Sequence, residues 1–226
     1  MLITEDNGFL IKEWKMKVLI ACEFSGIVRD AFIKRGHEAV SCDLLPTERP
    51  GPHIQGDVMK VLYDEKGEQG FDQSSQTPLL NEPLWDLIIA HPPCTYLSNA
   101  GARFLYPQKV LNTERFALGL QVREFFMFLH NAPAHKIAIE NPVPSKVFCL
   151  PEKTQVIQPY YFGHPFQKKT YLWLKNLPKL IPTNLLDKPQ STKVAGNWFD
   201  KGGKDRQKNR AKTFQGIADA MAEQWG

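Results

Sequence analysis

The chain of 226 residues predicts an α/β fold, a Rossmann-like doubly wound sheet of mostly parallel strands in a single domain. Three observations carry this. The run KVLIAC–EFSG–IVRDAFIKRG–HEAVSCD reads as strand, turn, helix and strand, the opening unit of such a sheet. Further short apolar runs, WDLIIA and KIAIE, recur along the chain with no alternation of polar residues, the pattern of strands buried on both faces. A long helical pattern lies between those two runs, where a crossover is needed.

From Lys17 the order is legible. The first strand is KVLIAC, and Gly36 is placed to end the helix that follows. The second strand stops at Asp43, and the proline- and glycine-rich LLPTERPGPHIQGDV reads as loop. A helix begins near Val58. Residues 65–83 are polar and turn-rich, a surface insertion. WDLIIA runs into HPPC, where Pro92-Pro93 must stop the strand because proline has no N–H for the ladder. Asn112 is positioned to cap a long helix through TERFALGLQVREFFMFLHN. KIAIE ends in NPVPS, TYLWL is a further strand, and FQGIADAMAEQW is an amphipathic final helix. Residues 1–16 read as an extension ahead of residues 17–226, which form the one domain.

Composition sets broad limits. At 42% apolar and 23% charged residues the chain is ordinary for a water-soluble globular protein. No apolar segment approaches the roughly 18 residues of a membrane span, and the acidic N-terminus does not resemble a signal peptide, so a cytoplasmic protein without membrane association is expected. The net charge of +4 permits a polyanionic partner. The basic run Asp200–Lys212 reads either as a solvated loop or as a phosphate-contacting surface. Cys22, Cys42, Cys94 and Cys149 include no CxxC pair, which argues against a zinc site or a disulfide framework; no metal is expected.

Ligands of open α/β sheets gather at the carboxyl ends of the strands. Here those ends carry Glu23-Phe24-Ser25-Gly26, Asp43 with the later Gly56-Asp57, His91-Pro92-Pro93-Cys94, and Glu140-Asn141-Pro142. An acid in the position of Asp43 suits the ribose hydroxyls of a nucleoside cofactor, and equally a turn or cap. The turn EFSGIV lacks the GxGxxG spacing a dinucleotide pyrophosphate needs, whereas S-adenosylmethionine has no phosphate and tolerates it.

HPPCTYLS followed by IENP resembles the DNA cytosine-5 methyltransferases, in which a Pro-Pro-Cys turn carries the nucleophile and a Glu-Asn dipeptide on the next strand carries a base-binding acid. EFSG resembles that family's cofactor turn, GDV its Gly-Asp loop, HPFQKKTYLW its Gln-x-Arg-x-Arg strand, and FQGIADAMAEQW its closing segment. The resemblance covers most of residues 17–225, with the motifs in the family's order. It implies a Rossmann-like S-adenosylmethionine-dependent methyltransferase fold. Cys94 is then the nucleophile and Glu140 the acid, with Asn141 and Pro142 fixing the glutamate, and Lys169 or Arg103 supplying positive charge. Glu23, Phe24, Ser25 and Gly26, together with Asp43, Asp57 and Pro92, would line the cofactor pocket. The substrate implied is cytosine in DNA.

The chemistry suits those residue types. Cytosine C5 is a poor nucleophile until a thiolate adds at C6, and an acid at N3 draws off the charge that develops. The thiolate is the reactive form, so nearby positive charge would favour it. Cys22, Cys42 and Cys149 read as buried, inert thiols, and His91 either packs the turn or bonds locally.

Two departures from the family matter. The Gln-x-Arg-x-Arg pattern is here Gln167, Lys169 and Tyr171, so lysine replaces a planar guanidinium fork and the second arginine is missing. Residues 172–213 alone separate Tyr171 from Phe214, where the family inserts a large target-recognition domain. Loose specificity, a single-stranded or RNA substrate, a free cytosine nucleotide, or a protein partner for target recognition are the expectations that follow. Two other readings stand beside this one: an amino methyltransferase of cytosine N4 or adenine N6, disfavoured by His91 and Cys94 at the turn, and a catalytically inactive methyltransferase-like binding protein.

Overall fold

A computed structural model describes residues 14–63, 83–187, 189 and 206–226. The extension through residue 13 and almost all of the expected 65–83 insertion lie outside these.

The strands are β1 (Lys17–Ala21), β2 (Glu38–Asp43), β3 (His53–Gln55), β4 (Trp85–Ala90), β5 (Ala134–Pro142), β6 (Gln155–Ile157) and β7 (Thr170–Lys175). They form one sheet in the order β3-β2-β1-β4-β5-β7-β6. Pairings from β3 through β5 are parallel, while β7 runs antiparallel to both of its neighbours. The α/β class with a mostly parallel sheet is therefore as the sequence predicts.

Alternation along each strand sorts side chains to two helical layers. Val18 and Ile20 of β1, with Leu87 and Ile89 of β4, face one cluster. That cluster is covered by helix α1 (Ile27–Lys34) and by the C-terminal helix, Gln215–Trp225. Leu19, Ala21, Ile88 and Ala90 face the opposite cluster, under α2 (Val58–Leu62) and α4 (Thr113–His130). The short α3 (Ala102–Leu105) precedes α4, α5 (Arg206–Ala211) precedes the last helix, and that last helix is α6. Among the described residues no helix is long and apolar enough to cross a membrane.

Asn112 caps α4 as expected, its side chain accepting from the Arg115 N–H at 3.0 Å. Gly36, with φ 92°, takes the left-handed position beyond α1 that other residues resist. Four elements went unread in the sequence, the one-turn α3 among them. β3 lies within the proline- and glycine-rich segment taken as loop, β6 has three residues, and part of the basic 200–212 run is the helix α5. Pairs of three residues carry too little periodicity to be seen.

Arg29 organises the loop at the carboxyl end of β2. It is wholly buried on α1, and its guanidinium donates to the carbonyl oxygens of Arg49 (3.2 Å), Pro50 (3.1 Å) and Pro52 (3.4 Å). Asp30 balances its charge at 2.7 Å. Gly51 is required beneath it: a Cβ there would lie 2.8 Å from the guanidinium carbon. Replacing Arg29 removes the donor of three loop carbonyls at once and the buried partner of Asp30, so Arg29→Met should lower unfolding free energy by about 3 kcal/mol. Urea denaturation checks this; an unchanged midpoint would mean that the loop is held by other contacts.

Candidate functional site

Strands β2 and β3 are added on one side of β1 and β4 and β5 on the other, so the winding switches between the parallel β1 and β4, which makes their carboxyl ends the crevice of the sheet. Register then brings the strand-end motifs together. Ala90 pairs with Ile139, so the next residues along, His91 and Glu140, come side by side. Both take the alternate position that faces the α1 and α6 side.

His91 Nδ1 lies 3.2 Å from Glu140 Oε2, with the two side chains 10% and 9% exposed. Thr213, just before α6, donates its hydroxyl to the same oxygen at 3.2 Å. Burial works against charge on both partners. For His91 the hydrogen bond and charge of Glu140, with Glu23 behind it, outweigh burial and raise the imidazole above its ordinary value. For Glu140 the contacts to His91, the charge of Lys168 and the Thr213 hydroxyl likewise outweigh burial and hold the carboxyl below its ordinary value. Each partner thus favours the charged form of the other, the imidazolium of His91 and the carboxylate of Glu140. His91 Nε2 is buried and has no hydrogen-bond partner among the described residues.

Asn141 ties β5 to the proline turn. It is 1% exposed, and its Nδ2 donates to the Pro92 carbonyl at 3.1 Å, while its buried Oδ1 has no partner among the described residues. Cys94 follows the turn half-buried, and its carbonyl accepts the Ser98 N–H at 2.8 Å. Burial pushes the Cys94 thiol up; Lys168, its own backbone N–H and Arg210 pull it partly back, and Glu140 opposes them. At rest Cys94 is a thiol on which the charges of Lys168 and Arg210 bear.

The cations differ from those expected. Lys169 is exposed, whereas Lys168 is half-buried and its charge reaches Cys94, His91 and Glu140. Lys168 Nζ donates to the Arg210 carbonyl at 3.0 Å, which anchors it to α5. Arg103 is exposed, with its guanidinium over the Phe104 ring, and is not among the charges acting on Cys94. Adjacent residues of an extended segment face opposite ways, so a shift of one residue exchanges the two lysines.

The residues expected to line a cofactor pocket are also among those described, several with structural tasks. Glu23 is 5% exposed, and its carboxylate accepts the N–H groups of Val28 (2.7 Å) and Arg29 (3.2 Å) and the Ser25 hydroxyl (3.0 Å), so it closes the start of α1. Gly26, with φ 71°, takes a backbone angle that L side chains resist, and a Cβ there would meet the Arg29 guanidinium at 2.5 Å. Asp57 caps α2 by accepting the Met59 N–H at 2.9 Å. Asp43 accepts the Leu45 N–H at 2.9 Å through Oδ1, and burial raises its carboxyl despite that bond and the nearby His53. Phe24 packs beneath the Lys208 ammonium, 5.3 Å from its ring centre.

Lys208 and Lys212 form ion pairs with Glu48 at 3.0 and 2.7 Å, which straps α5 over the turn. Two lysines of the basic run are thus ion-paired within the protein, although the Lys208 side chain stays 41% exposed. Between this strap and residues 22–25 a gap of about 10 Å³ remains, with His91 on its wall.

Of the other cysteines, Cys42 is buried and raised to about 11, first by burial and then by Asp43 and Asp57. Cys22 is raised further, again chiefly by burial. Cys149 departs from expectation: it is exposed, because the turn that holds it ends on the surface in a left-handed conformation, φ 46°. Among the described residues no cluster of histidine, cysteine and acids has the makings of a metal site.

Two predictions follow from this electrostatic arrangement. The imidazolium's contribution to stability is complete below the ordinary histidine value, about 6.5, and is lost as pH rises through its raised value. The Glu140 contribution is complete above about 4.3 and is lost as pH falls through its lowered value. His91→Gln should therefore cost roughly 2 kcal/mol near pH 5.5 and progressively less above neutrality. Urea titrations of both proteins across that range read the difference; a gap independent of pH would exclude the ion pair. Lys168→Met should move the alkylation of Cys94 by iodoacetamide to higher pH, measured by peptide mass spectrometry against Cys149 as internal reference. Unchanged alkylation would remove Lys168 from the site.

No known protein-family model matches this chain, and no curated protein matches it.

Proposed function

We propose that the protein is an S-adenosylmethionine-dependent methyltransferase acting on C5 of cytosine in nucleic acid, DNA in the first instance, through a covalent adduct of Cys94 at C6. The observation that carries this reading is the meeting of the Pro-Pro-Cys turn and the Glu-Asn dipeptide on adjacent parallel strands, with Lys168 acting on both reactive side chains.

The residues fit a nucleoside cofactor by chemistry. Asp43 stands at the end of β2 for ribose hydroxyls, with Leu44 beside it 73% exposed as an apolar seat. Residues 23–26 and Pro92 would border the amino-acid end, where the narrow gap under residues 211–213 requires the α5 strap to shift on binding. When bound, S-adenosylmethionine supplies the electrophilic methyl group that C5 of the adduct takes.

The chain's own groups do the rest. Cys94 must lose its proton, and Lys168 and Arg210 favour the thiolate that forms the S–C6 bond. N3 gains a proton as that bond forms. Glu140 is ionised at rest, so the proton it passes to N3 comes from the imidazolium of His91. The Cys94 proton goes to solvent, and His91 is left neutral until N3 returns its proton. Loss of the C5 proton to solvent water, return of the N3 proton through Glu140 to His91, and cleavage of the S–C6 bond then restore the aromatic ring and the Cys94 thiolate. Asn141 Oδ1 and His91 Nε2, both unspent, are an acceptor and a donor of the kinds a pyrimidine amine and carbonyl require.

Incubation of DNA, RNA and cytidine nucleotides with isotopically labelled S-adenosylmethionine, followed by nucleoside mass spectrometry, tests the reading. The expected product is 5-methylcytosine; an N-methylated base, or no product with any substrate, would overturn it. Cys94→Ser should abolish transfer, and Glu140→Gln should slow it by roughly 10²–10⁴-fold. An amino methyltransferase would tolerate the first change.

A further inference from the structure

The segment that leaves the Cys94 turn builds a second concavity lined by aromatic rings and guanidinium groups. It is a cleft of about 410 Å³ between this segment and the first turns of α4, lined in part by Tyr96, Arg103, Phe104, Glu114 and Arg115. The Arg115 guanidinium donates to the Thr95 carbonyl at 2.9 Å and lies 4.9 Å from the Tyr96 ring centre and 5.5 Å from that of Phe104. Arg103 covers Phe104 from 4.6 Å. Gly101 leaves room for this layering, since a Cβ there would meet Arg115 Nη2 at 2.9 Å. Yet Phe104 is 52% exposed and neighbouring Tyr106 42%, although burial would be worth about 2 kcal/mol for such a ring.

Exposed aromatic faces interleaved with guanidinium groups are the chemistry of base stacking joined to phosphate contact. A duplex covers the faces of its bases, so stacking of this kind requires an unpaired strand. Cys94 and Tyr96 are two residues apart, no more than about 7 Å along the chain, so one strand can occupy both places. A free nucleotide in the Cys94 site would leave the cleft unused.

We propose that this cleft seats the nucleotide next to the target base in a single-stranded nucleic acid. In this arrangement a base stacks on Phe104 and Tyr96, while Arg103 and Arg115 contact the adjoining phosphates. The proposal rests on the nucleic-acid reading of the Cys94 site and specifies its substrate. It also answers how a chain with only residues 172–213 between Tyr171 and Phe214 grips its target: through stacking beside the reactive cysteine, with little reading of sequence.

Fluorescence anisotropy with one labelled oligonucleotide, presented as single-stranded DNA, as single-stranded RNA and as duplex DNA, tests it without requiring catalysis. Either single strand should bind more tightly than the duplex, and comparison of the two identifies the sugar preferred. Phe104→Ala should weaken single-strand binding roughly tenfold, and Arg103→Gln should lower the slope of log affinity against log salt by about one. Both side chains are exposed, so thermal unfolding should match the wild type and separates lost binding from lost fold. Duplex binding as tight as single-strand binding, or wild-type affinity and salt slope in both variants, would overturn the proposal. Strand binding that depends on Phe104 in a protein that transfers no methyl group would leave the cleft standing and remove the methyltransferase reading. Methyl transfer to single strands that is indifferent to Phe104 would do the reverse.

Discussion

The parallel pairing of β4 with β5, and the one side-chain bond that extends it, is the constraint on which the site depends. Two prolines end β4, and proline offers no N–H to carry the ladder further. Asn141 takes over at that point by donating its side-chain amide to the Pro92 carbonyl. The turn leaving β4 is thereby held to the end of β5, and every reactive group is placed by that junction. His91 and Glu140 stand in step on it, Cys94 begins the segment beyond it, and Lys168 approaches from the segment that leads into β7.

Two buried charges in this protein show how differently the same cost can be met. Taking an ion out of water is expensive unless every donor and acceptor finds a partner. Arg29 is satisfied by Asp30 and by a ring of loop carbonyls and hydroxyls, and its work is structural. The His91–Glu140 pair is satisfied only in part. The imidazole keeps one nitrogen buried and unspent, and the adjacent amide of Asn141 keeps its oxygen likewise. Such groups cost stability in the free protein and have value only to something that enters, which is why the cluster reads as a site and the Arg29 network does not.

Much of the fold was legible. β1, β2, β4 and β5 are apolar runs that stop at a chemical punctuation mark, and Asn112 and Gly36 bound their helices for reasons local to the chain. β3 and β6 were not legible, because a three-residue strand has no period of its own and exists only through its partner. Within the site, Cys94 and Glu140 stood out because each stands at or just past the end of an apolar strand. The choice between Lys168 and Lys169 did not, since facing depends on how the segment enters β7. The work of Glu23 and Asp57 as helix caps was hidden for a similar reason: a carboxylate at a strand end is equally apt for a ligand and for the N–H groups of the next helix.

By itself the sequence determined the layered α/β plan, the strand ends on which chemistry could gather, and the residue types available there, because these follow from the periodicity of burial and from the rigidity of proline. Only the tertiary structure decided which groups meet. It set the imidazole of His91 against Glu140, spent Lys208 and Lys212 on Glu48, and layered Arg103 on the exposed Phe104 ring and Arg115 on the Tyr96 ring near Cys94. The physical reason is that contact between residues distant in the chain depends on strand register and on the face each side chain takes. Neither is written in any one segment.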